Sequence, residues 1–342
     1  MCYHISIQNE RGKIVVKTAT QATALTANDY RLANAYRKKQ WFDKRTLTEN
    51  LSMTWMLLPG LVWIVLFWAI PIPHIIVGLK DFKAIKGTWD SEWSGFYNLE
   101  FFFTGEFAGR TLRNTLFYSF FELTTSWFYN SVIAVWFYWM RSNRAMKIYN
   151  TIMMLPKFMN IMMIKMIVQA LLAPGYGIFY QLTEAWTGEG FLFYDTPQIW
   201  PLIMIVGKDW QTIGTGCIWY YAAMTSMDPG LMEAAEIDGA NKLQQTMHIL
   251  YPHILPTVAI MLIMGLGGVL GGDTNWHYII ASNVLGGSKY LEILPTYMLK
   301  ALLGGDFTRS GGVQLFSSLV SLSLVIGVNL IVRKIAPESA MF

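Results

Sequence analysis

Six long apolar stretches, separated by polar segments, make up most of the chain after residue 50. Each is about as long as the roughly 20 residues that a helix needs to cross a bilayer. The first contains no charged residue. This pattern predicts an all-α integral membrane protein with six transmembrane helices. The predicted spans are 53–79, 114–140, 148–172, 199–227, 257–280 and 312–332.

The polar segments indicate the topology. Residues 1–50 form a predicted cytoplasmic N-terminal arm, 51–335 the transmembrane domain and 336–342 a cytoplasmic tail. Fifteen of the 26 lysines and arginines fall in the arm, at Arg333-Lys334 after the last span, and in the other segments predicted to lie inside. Basic residues favour the inner side of a membrane. We therefore expect a multi-pass protein of a bacterial-type plasma membrane with both termini inside.

The polar segment 228–256, between the fourth and fifth spans, carries strong helix signals. Asp228 is a good N-cap, and Pro229 suits the first helical position. Gly239 supplies a point where the helix stops or bends. Asn241 and Gln244 have the spacing of a capping box that starts a second helix. The segment predicts a short helix, a glycine break and a second helix that two prolines, at 252 and 256, then interrupt.

The residues of this segment resemble the EAA loop of binding-protein-dependent ABC importers. The matching residues are Glu233-Ala234-Ala235, Ile237-Asp238-Gly239-Ala240, Ile249, Pro252 and Pro256. In that family the loop is a coupling helix that docks into a cleft of a cytoplasmic ATPase. The resemblance implies ATPase coupling by Glu233, Ala234, Ala235, Asp238 and Gly239.

The same resemblance implies the other partners. They are a second homologous permease subunit, a cytoplasmic ATPase dimer that binds ATP and Mg, and an extracytoplasmic solute-binding protein. This chain would then be a transport subunit with no cofactor and no enzymatic activity of its own. The last part of the chain, from Gly304-Gly305-Asp306-Phe307 through Gln314–Ser318 to Asn329, is similar to the oligosaccharide branch of sugar permeases. A carbohydrate substrate is therefore expected.

Charged residues within spans are costly, so they usually face a cavity or a partner. In the resembled sugar permeases, the helices before and after the loop line the substrate site. By position, the predicted pathway residues are Lys208, Asp209, Gln211, Thr212, Thr215, Gly265, Val269, Gly272 and Asp273. The alternative is structural pairing, for example of Lys208 or Lys165 with Glu122 or Asp209.

Composition supports the membrane class and excludes others. The chain is 54% hydrophobic and 14% charged, whereas soluble domains are about 25% charged. Two cysteines and five scattered histidines predict no metal site, and a net charge of +4 predicts no nucleic-acid binding. Asp273 stands where a phosphate-binding loop would need lysine. Two alternatives remain open: an ion-coupled secondary transporter, and an ABC importer for amino acids or peptides.

Overall fold

The computed structural model describes residues 5–8, 14–17, 44–284 and 288–335. Most of the predicted N-terminal arm 1–50 and the whole predicted tail 336–342 lie outside these residues. The described chain divides into two units, 1–73 and 74–342. In the first unit, β1 (Ile5–Gln8) pairs antiparallel with β2 (Ile14–Lys17), and Ile5 lies opposite Lys17. Helix α1 (Lys44–Ile64) follows, and a π-helical turn at Val65–Ala69 continues it.

A 3₁₀ helix at Ile72–Leu79 leads into a compact segment before the long helices. Here β3 (Lys80–Asp81) pairs antiparallel with β4 (Glu92–Trp93) on either side of α2 (Gly87–Asp90). Helix α3 (Tyr97–Thr104) follows. Asn98 fixes this segment, because its buried amide donates to the backbone oxygen atoms of Gly78 and Lys80, at 2.9 and 3.2 Å.

The rest of the second unit is helical. Its elements are α4 (Glu106–Tyr138), α5 (Asn143–Phe158), α6 (Ile161–Leu172), α7 (Ile178–Thr187), a 3₁₀ turn (Phe193–Asp195), α8 (Trp200–Thr225), α9 (Pro229–Ile237), α10 (Lys242–Gln245), a π-helical turn (Thr246–Leu250), α11 (Tyr251–Gly267), a π-helical turn (Trp276–Ile280), a 3₁₀ turn (Ala281–Asn283), α12 (Ser288–Leu291), α13 (Leu294–Leu303) and α14 (Phe307–Ile335).

Three described helical segments are long and apolar enough to cross a membrane: Thr54–Leu79, Lys242–Gly267 and Phe307–Lys334. The bent pair α5 and α6 makes a fourth if it counts as one span. Helices α4 and α8 have 33 and 26 residues, ample length at 1.5 Å per residue, but they are too polar to meet the same criterion. The protein is an all-α membrane protein, and six spans remain a prediction.

Two predicted spans are not straight helices. The span 148–172 bends by 98° between α5 and α6. The bend lies where Met159 is extended and the side chain of Asn160 starts α6 by accepting a hydrogen bond from the Met162 amide, at 2.9 Å. The span 257–280 is interrupted after α11 by an unwound segment, residues 268–273, and helical backbone resumes at residue 274 and leads into the π-helical turn.

Small residues allow the helices to approach closely. A side chain at Gly214 of α8 would overlap the backbone of Met153 and Met154 in α5, and one at Gly216 would overlap Asn130 of α4. Close helix contacts of this kind are typical of membrane proteins. Helix α8 therefore packs closely against both α4 and α5. These helices position the loop 228–256 and the region around residue 208, which are described below.

Candidate functional site

The segment 228–256 forms the two helices that the sequence predicts. Asp228 caps α9 by accepting a hydrogen bond from the Gly230 amide, at 2.9 Å, and Pro229 is the first helical residue. Helix α9 ends at Ile237, and Gly239 follows two residues later with a φ of 78°, in the left-handed region that glycine adopts most readily. The predicted cap and break are confirmed.

The second helix begins with the predicted capping box. The Gln244 amide donates to Asn241 Oδ1 at 2.9 Å, and the Asn241 amide donates to Gln244 Oε1 at 2.8 Å. The expected interruption by two prolines is wrong, because the helix continues through Pro252 and Pro256. The turn before Pro252 widens into a π turn, in which the Tyr251 amide donates to the Thr246 oxygen. This turn accommodates a residue that has no N–H.

The loop is fixed to the helix bundle at its base. Trp139, at the end of α4, donates from its indole N–H to Thr246 Oγ1 at 2.9 Å. The Lys242 ammonium lies 5.1 Å from the centre of the Trp139 ring, within range of a cation–π contact. Leu250 and Met224 are fully buried beneath it. These contacts tie the base of the loop rigidly to the ends of α4 and α8.

The tip of the loop is exposed. Of the predicted coupling residues, Glu233, Ala234, Asp238 and Gly239 are exposed and Ala235 is half-buried. Three large apolar side chains that sequence reasoning did not single out are exposed beside them. They are Leu231 (54%), Ile237 (87%) and Leu243 (71%). The sequence could have indicated them, because each is a large apolar residue in a predicted helix outside the six predicted spans.

The second region lies where α8 meets the unwound segment 268–273. Lys208 forms an ion pair with Asp273, and neither Glu122 nor Asp209 is its partner as the alternative expected. The Lys208 ammonium also donates to Gln211 Oε1 at 3.4 Å and lies 5.3 Å from the Trp276 ring centre. Two predicted pathway residues, from spans on either side of the loop, are thus brought together.

The other predicted polar residues of α8 form hydrogen bonds with α4 or within α8 itself. Asp209 accepts a hydrogen bond from Thr125 Oγ1 at 3.1 Å, and the hydroxyl groups of Thr212 and Tyr129 are 2.9 Å apart. Thr215 donates to the carbonyl oxygen of Thr212 in its own helix at 2.9 Å. These contacts join α8 to α4.

The unwound segment keeps its backbone bonded. The Ser119 hydroxyl of α4 donates to the Val269 carbonyl oxygen at 2.6 Å. The Ser317 hydroxyl of α14 donates to the Leu270 carbonyl oxygen at 3.5 Å. Gly272 has a φ of 48°. Irregular backbone at membrane depth is tolerated where protein groups satisfy it or where it lines a cavity. Both conditions hold here.

A cavity of about 650 Å³ lies between α4, α8 and α11, with the unwound segment as part of its wall. Four predicted pathway residues line it: Gly265, Val269, Gly272 and Asp273. The other five, Lys208, Asp209, Gln211, Thr212 and Thr215, do not. Lys208 and Asp209 line a smaller cleft of about 10 Å³, room for about one water molecule.

Sequence reasoning missed the wall that α4 contributes. Ser119, Glu122, Ser126 and Asn130 all line the cavity. Their spacing of three, four and four residues places them on one face of the helix. This spacing of polar residues in an otherwise apolar, aromatic-rich span could have indicated a polar face. From α8 the cavity receives Trp219 and Tyr220, so its lining combines hydroxyl, amide, carboxylate and aromatic groups.

No cluster of three or more histidine, cysteine or acidic side chains in the described part of the chain is suited to holding a metal ion. The buried cysteine, Cys217, lies in α8 with its sulfur 3.6 Å from the Gly214 carbonyl oxygen. The residues that line the cavity offer hydrogen-bonding groups, ring faces and carboxylates.

Comparison with known proteins agrees with this architecture. Residues 131–339 match the family described as binding-protein-dependent transport system inner membrane component. Protein LplB of Bacillus subtilis (strain 168) is 26% identical over 310 residues, covering 86% of this chain and 96% of LplB. The polygalacturonan/rhamnogalacturonan transport system permease protein YteP of the same organism is 28% identical over 299 residues, covering 86% of this chain and 92% of YteP.

A solved structure is similar over most of its length. It is a chain of a bacterial ABC transporter involved in the import of the acidic polysaccharide alginate, with a TM-score of 0.76 and 26% identity. The match covers 85% of this chain and 98% of that one. A second solved structure, of a bacterial alginate ABC transporter in complex with an alginate pentasaccharide-bound periplasmic protein, has a TM-score of 0.76 and 25% identity and covers 86% of this chain and 97% of that one. The chain described here belongs to the family of binding-protein-dependent transport system inner membrane components and is a permease subunit of an ABC importer.

Proposed function

We propose that this permease forms half of a transmembrane pathway for an oligosaccharide. The observation that carries the proposal is the cavity of about 650 Å³ between α4, α8 and α11, a volume within the range of ligand pockets. Its hydroxyl, amide and carboxylate groups suit sugar hydroxyls, and Trp219 and Tyr220 offer ring faces. The carbohydrate names of YteP and of the solved alginate transporter support the same substrate class.

Coupling to a cytoplasmic ATPase dimer is the second part of the proposal. Glu233, Ala234, Asp238 and Gly239, with Ala235 behind them, would be the surface that the ATPase grips. Exposed Leu231 and Ile237 support this, because large apolar side chains grouped on a surface mark a site of protein contact. ATP and Mg would be bound by the ATPase, and this chain would carry no cofactor.

The rest of the assembly follows from the same reasoning. A second homologous permease would complete the pathway, and a binding protein would deliver substrate on the opposite side from the loop. The segment 80–104 supports such a contact, because Trp89, Trp93 and Phe96 are exposed there. Both termini would lie inside.

The mechanism would be alternating access driven by the ATPase. Because Trp139 and Thr246 bind the base of the loop to the helix bundle, movement of the tip would be transmitted to α4 and α8 as that of a rigid lever. These helices are also two walls of the cavity. Closure of the ATPase on ATP would open the cavity outward, and hydrolysis would return it inward.

Reconstitution tests the proposal. The chain, purified with its partner subunits in proteoliposomes, should show ATP hydrolysis that increases when a binding protein loaded with oligosaccharide is added. Glu233→Ala should reduce this stimulation roughly tenfold or more, as expected for loss of a charged contact at an interface. The matched control is Glu236→Ala, on the same exposed helix, which should keep it.

Three outcomes would contradict the proposal. Uptake by this chain alone, driven by an ion gradient, would indicate a secondary transporter. Stimulation by amino acids or peptides and by no carbohydrate would reassign the substrate. Equal losses in Glu233→Ala and Glu236→Ala would show that Glu233 makes no specific contact.

A further inference from the structure

Glu122 occupies an unusual position in the large cavity. Two carboxylates line it, Glu122 and Asp273, and none of its described lining residues is lysine or arginine. Asp273 is bound by Lys208, which approaches from the smaller cleft. Glu122 forms no ion pair with any other residue that the structure describes. Glu122 also lines the smaller cleft, together with Lys208 and Asp209. The lining of the large cavity therefore contains one carboxyl group that has no ion-pair partner among the described residues.

We infer that Glu122 sets the charge selectivity of the pathway, so that the cavity takes hydroxyl-rich solutes without carboxylates and rejects uronates. This inference rests on the proposed carbohydrate function and goes beyond it by specifying the substrate's charge. A carboxylate can accept hydrogen bonds from sugar hydroxyls. It repels a second carboxylate, and the repulsion is strong in a cavity walled by protein.

Asn130 gives independent support. It lies two helical turns from Glu122 on the same face of α4, is 3% exposed, and lines the cavity. Its Nδ2 donates to Ser126 Oγ at 3.1 Å, whereas its buried Oδ1 has no hydrogen-bond partner. An unsatisfied buried acceptor is costly unless an occupant supplies a donor.

Together these groups define what the occupant must offer. Glu122 and the free Asn130 oxygen are both acceptors, about 12 Å apart along the helix. Hydroxyl groups can donate to both, but an ionised uronate carboxylate can only accept. The best occupant therefore presents hydroxyl groups to α4 from Glu122 to Asn130 and carries no carboxylate.

The fold does not fix this property. The solved relative belongs to a transporter that imports an acidic polysaccharide, and the same fold can serve different substrates through its site residues. The charge of the lining in this chain is therefore the informative feature.

A pair of probes that differ in charge, and by one methyl group on each sugar, tests the inference. The transporter, purified with its partner subunits in lipid nanodiscs and without the binding protein, is offered oligogalacturonides of one length as free acids or as full methyl esters. The esters should bind roughly tenfold more tightly or better. Glu122→Gln, which keeps the shape, should bring the two affinities close together, and Ser126→Asp should widen the gap. Glu184→Gln, on exposed helix α7, is the matched control and should leave the ratio unchanged.

Equal affinities in the wild-type transporter, or tighter binding of the acid, would overturn the inference. An unchanged ratio of ester to acid affinity in Glu122→Gln would also overturn it. If that variant fails to assemble, an unchanged ratio in Ser126→Asp would overturn the inference instead. The proposed function fails separately, when no oligosaccharide of any charge stimulates ATP hydrolysis through the binding protein. If neutral oligosaccharides stimulate ATP hydrolysis but acid and ester bind equally, only the inferred charge selectivity is contradicted.

Discussion

Lys208 has more than one contact, and together they define its role. Its ammonium is shared between Asp273 and Gln211, and it lies near the face of Trp276. Asp273 in turn accepts a hydrogen bond from the Trp276 amide at 3.0 Å. The lysine thus holds the end of the unwound segment 268–273 against α8. This favours a structural role for Lys208 over direct contact with substrate.

A double-mutant cycle distinguishes these roles. Lys208→Met should destabilise the assembled transporter by about 1–3 kcal/mol, because it leaves the carboxylate of Asp273 without its cation. The value is below that of a fully buried pair because the Asp273 side chain is 40% exposed. Adding Asp273→Asn should restore part of the loss. Thermal inactivation of the complex measures both effects. A purely additive double variant would show that the pair is not coupled.

Among the elements, the unwound segment depends most on distant residues. Its backbone carbonyls are satisfied by Ser119 of α4 and Ser317 of α14. Gly272 provides the left-handed conformation, and a side chain at this position would meet Ile293 and Pro295. The break therefore results from packing of three separate helices around a glycine-rich sequence.

Gly272→Ala tests the importance of this conformation. The substitution should cost about 1–2 kcal/mol, since a left-handed residue with a Cβ is strained, and the contact with Ile293 adds to it. Uptake by the reconstituted transporter should fall several-fold. The matched control is Gly327→Ala in α14, where an added Cβ meets no atom within 4 Å and a helical alanine is favourable. Equal behaviour of the two variants would contradict the argument.

The same elements show what a sequence can and cannot predict. The caps at Asp228 and Asn241 and the stop at Gly239 were predictable, because each depends on residues within one turn of the helix. The break at 268–273 was not predictable, because the groups that stabilise it lie far away in sequence. The α4 wall of the cavity was missed for a related reason: Glu122 and Asn130 become neighbours of Gly216 and Gly265 only when α4, α8 and α11 pack together.

For the whole molecule, the loop and the cavity are joined through α4 and α8. Helix α4 lines the cavity near its middle and α8 lines it in its C-terminal half, and their ends at Trp139 and Met224 hold the base of the loop. In the sequence, α8 follows the exposed helix α7 and precedes the exposed tip of the loop. If α8 crosses the membrane once, these two exposed elements must face opposite sides, which makes the predicted orientation testable.

Cysteine labelling on sealed vesicles provides that test. Cys2 would be replaced by serine, and Cys217 is fully buried, so the parent variant should react little with a membrane-impermeant maleimide. Asp238→Cys, at the exposed end of α9, should be labelled in inside-out vesicles and protected in right-side-out ones, because the loop is predicted to face the ATPase. Glu184→Cys, exposed in α7, should show the reverse. Labelling of both from the same side would mean that α8 does not cross the membrane. A reversed pattern would place the loop outside, where no cytoplasmic ATPase could reach it.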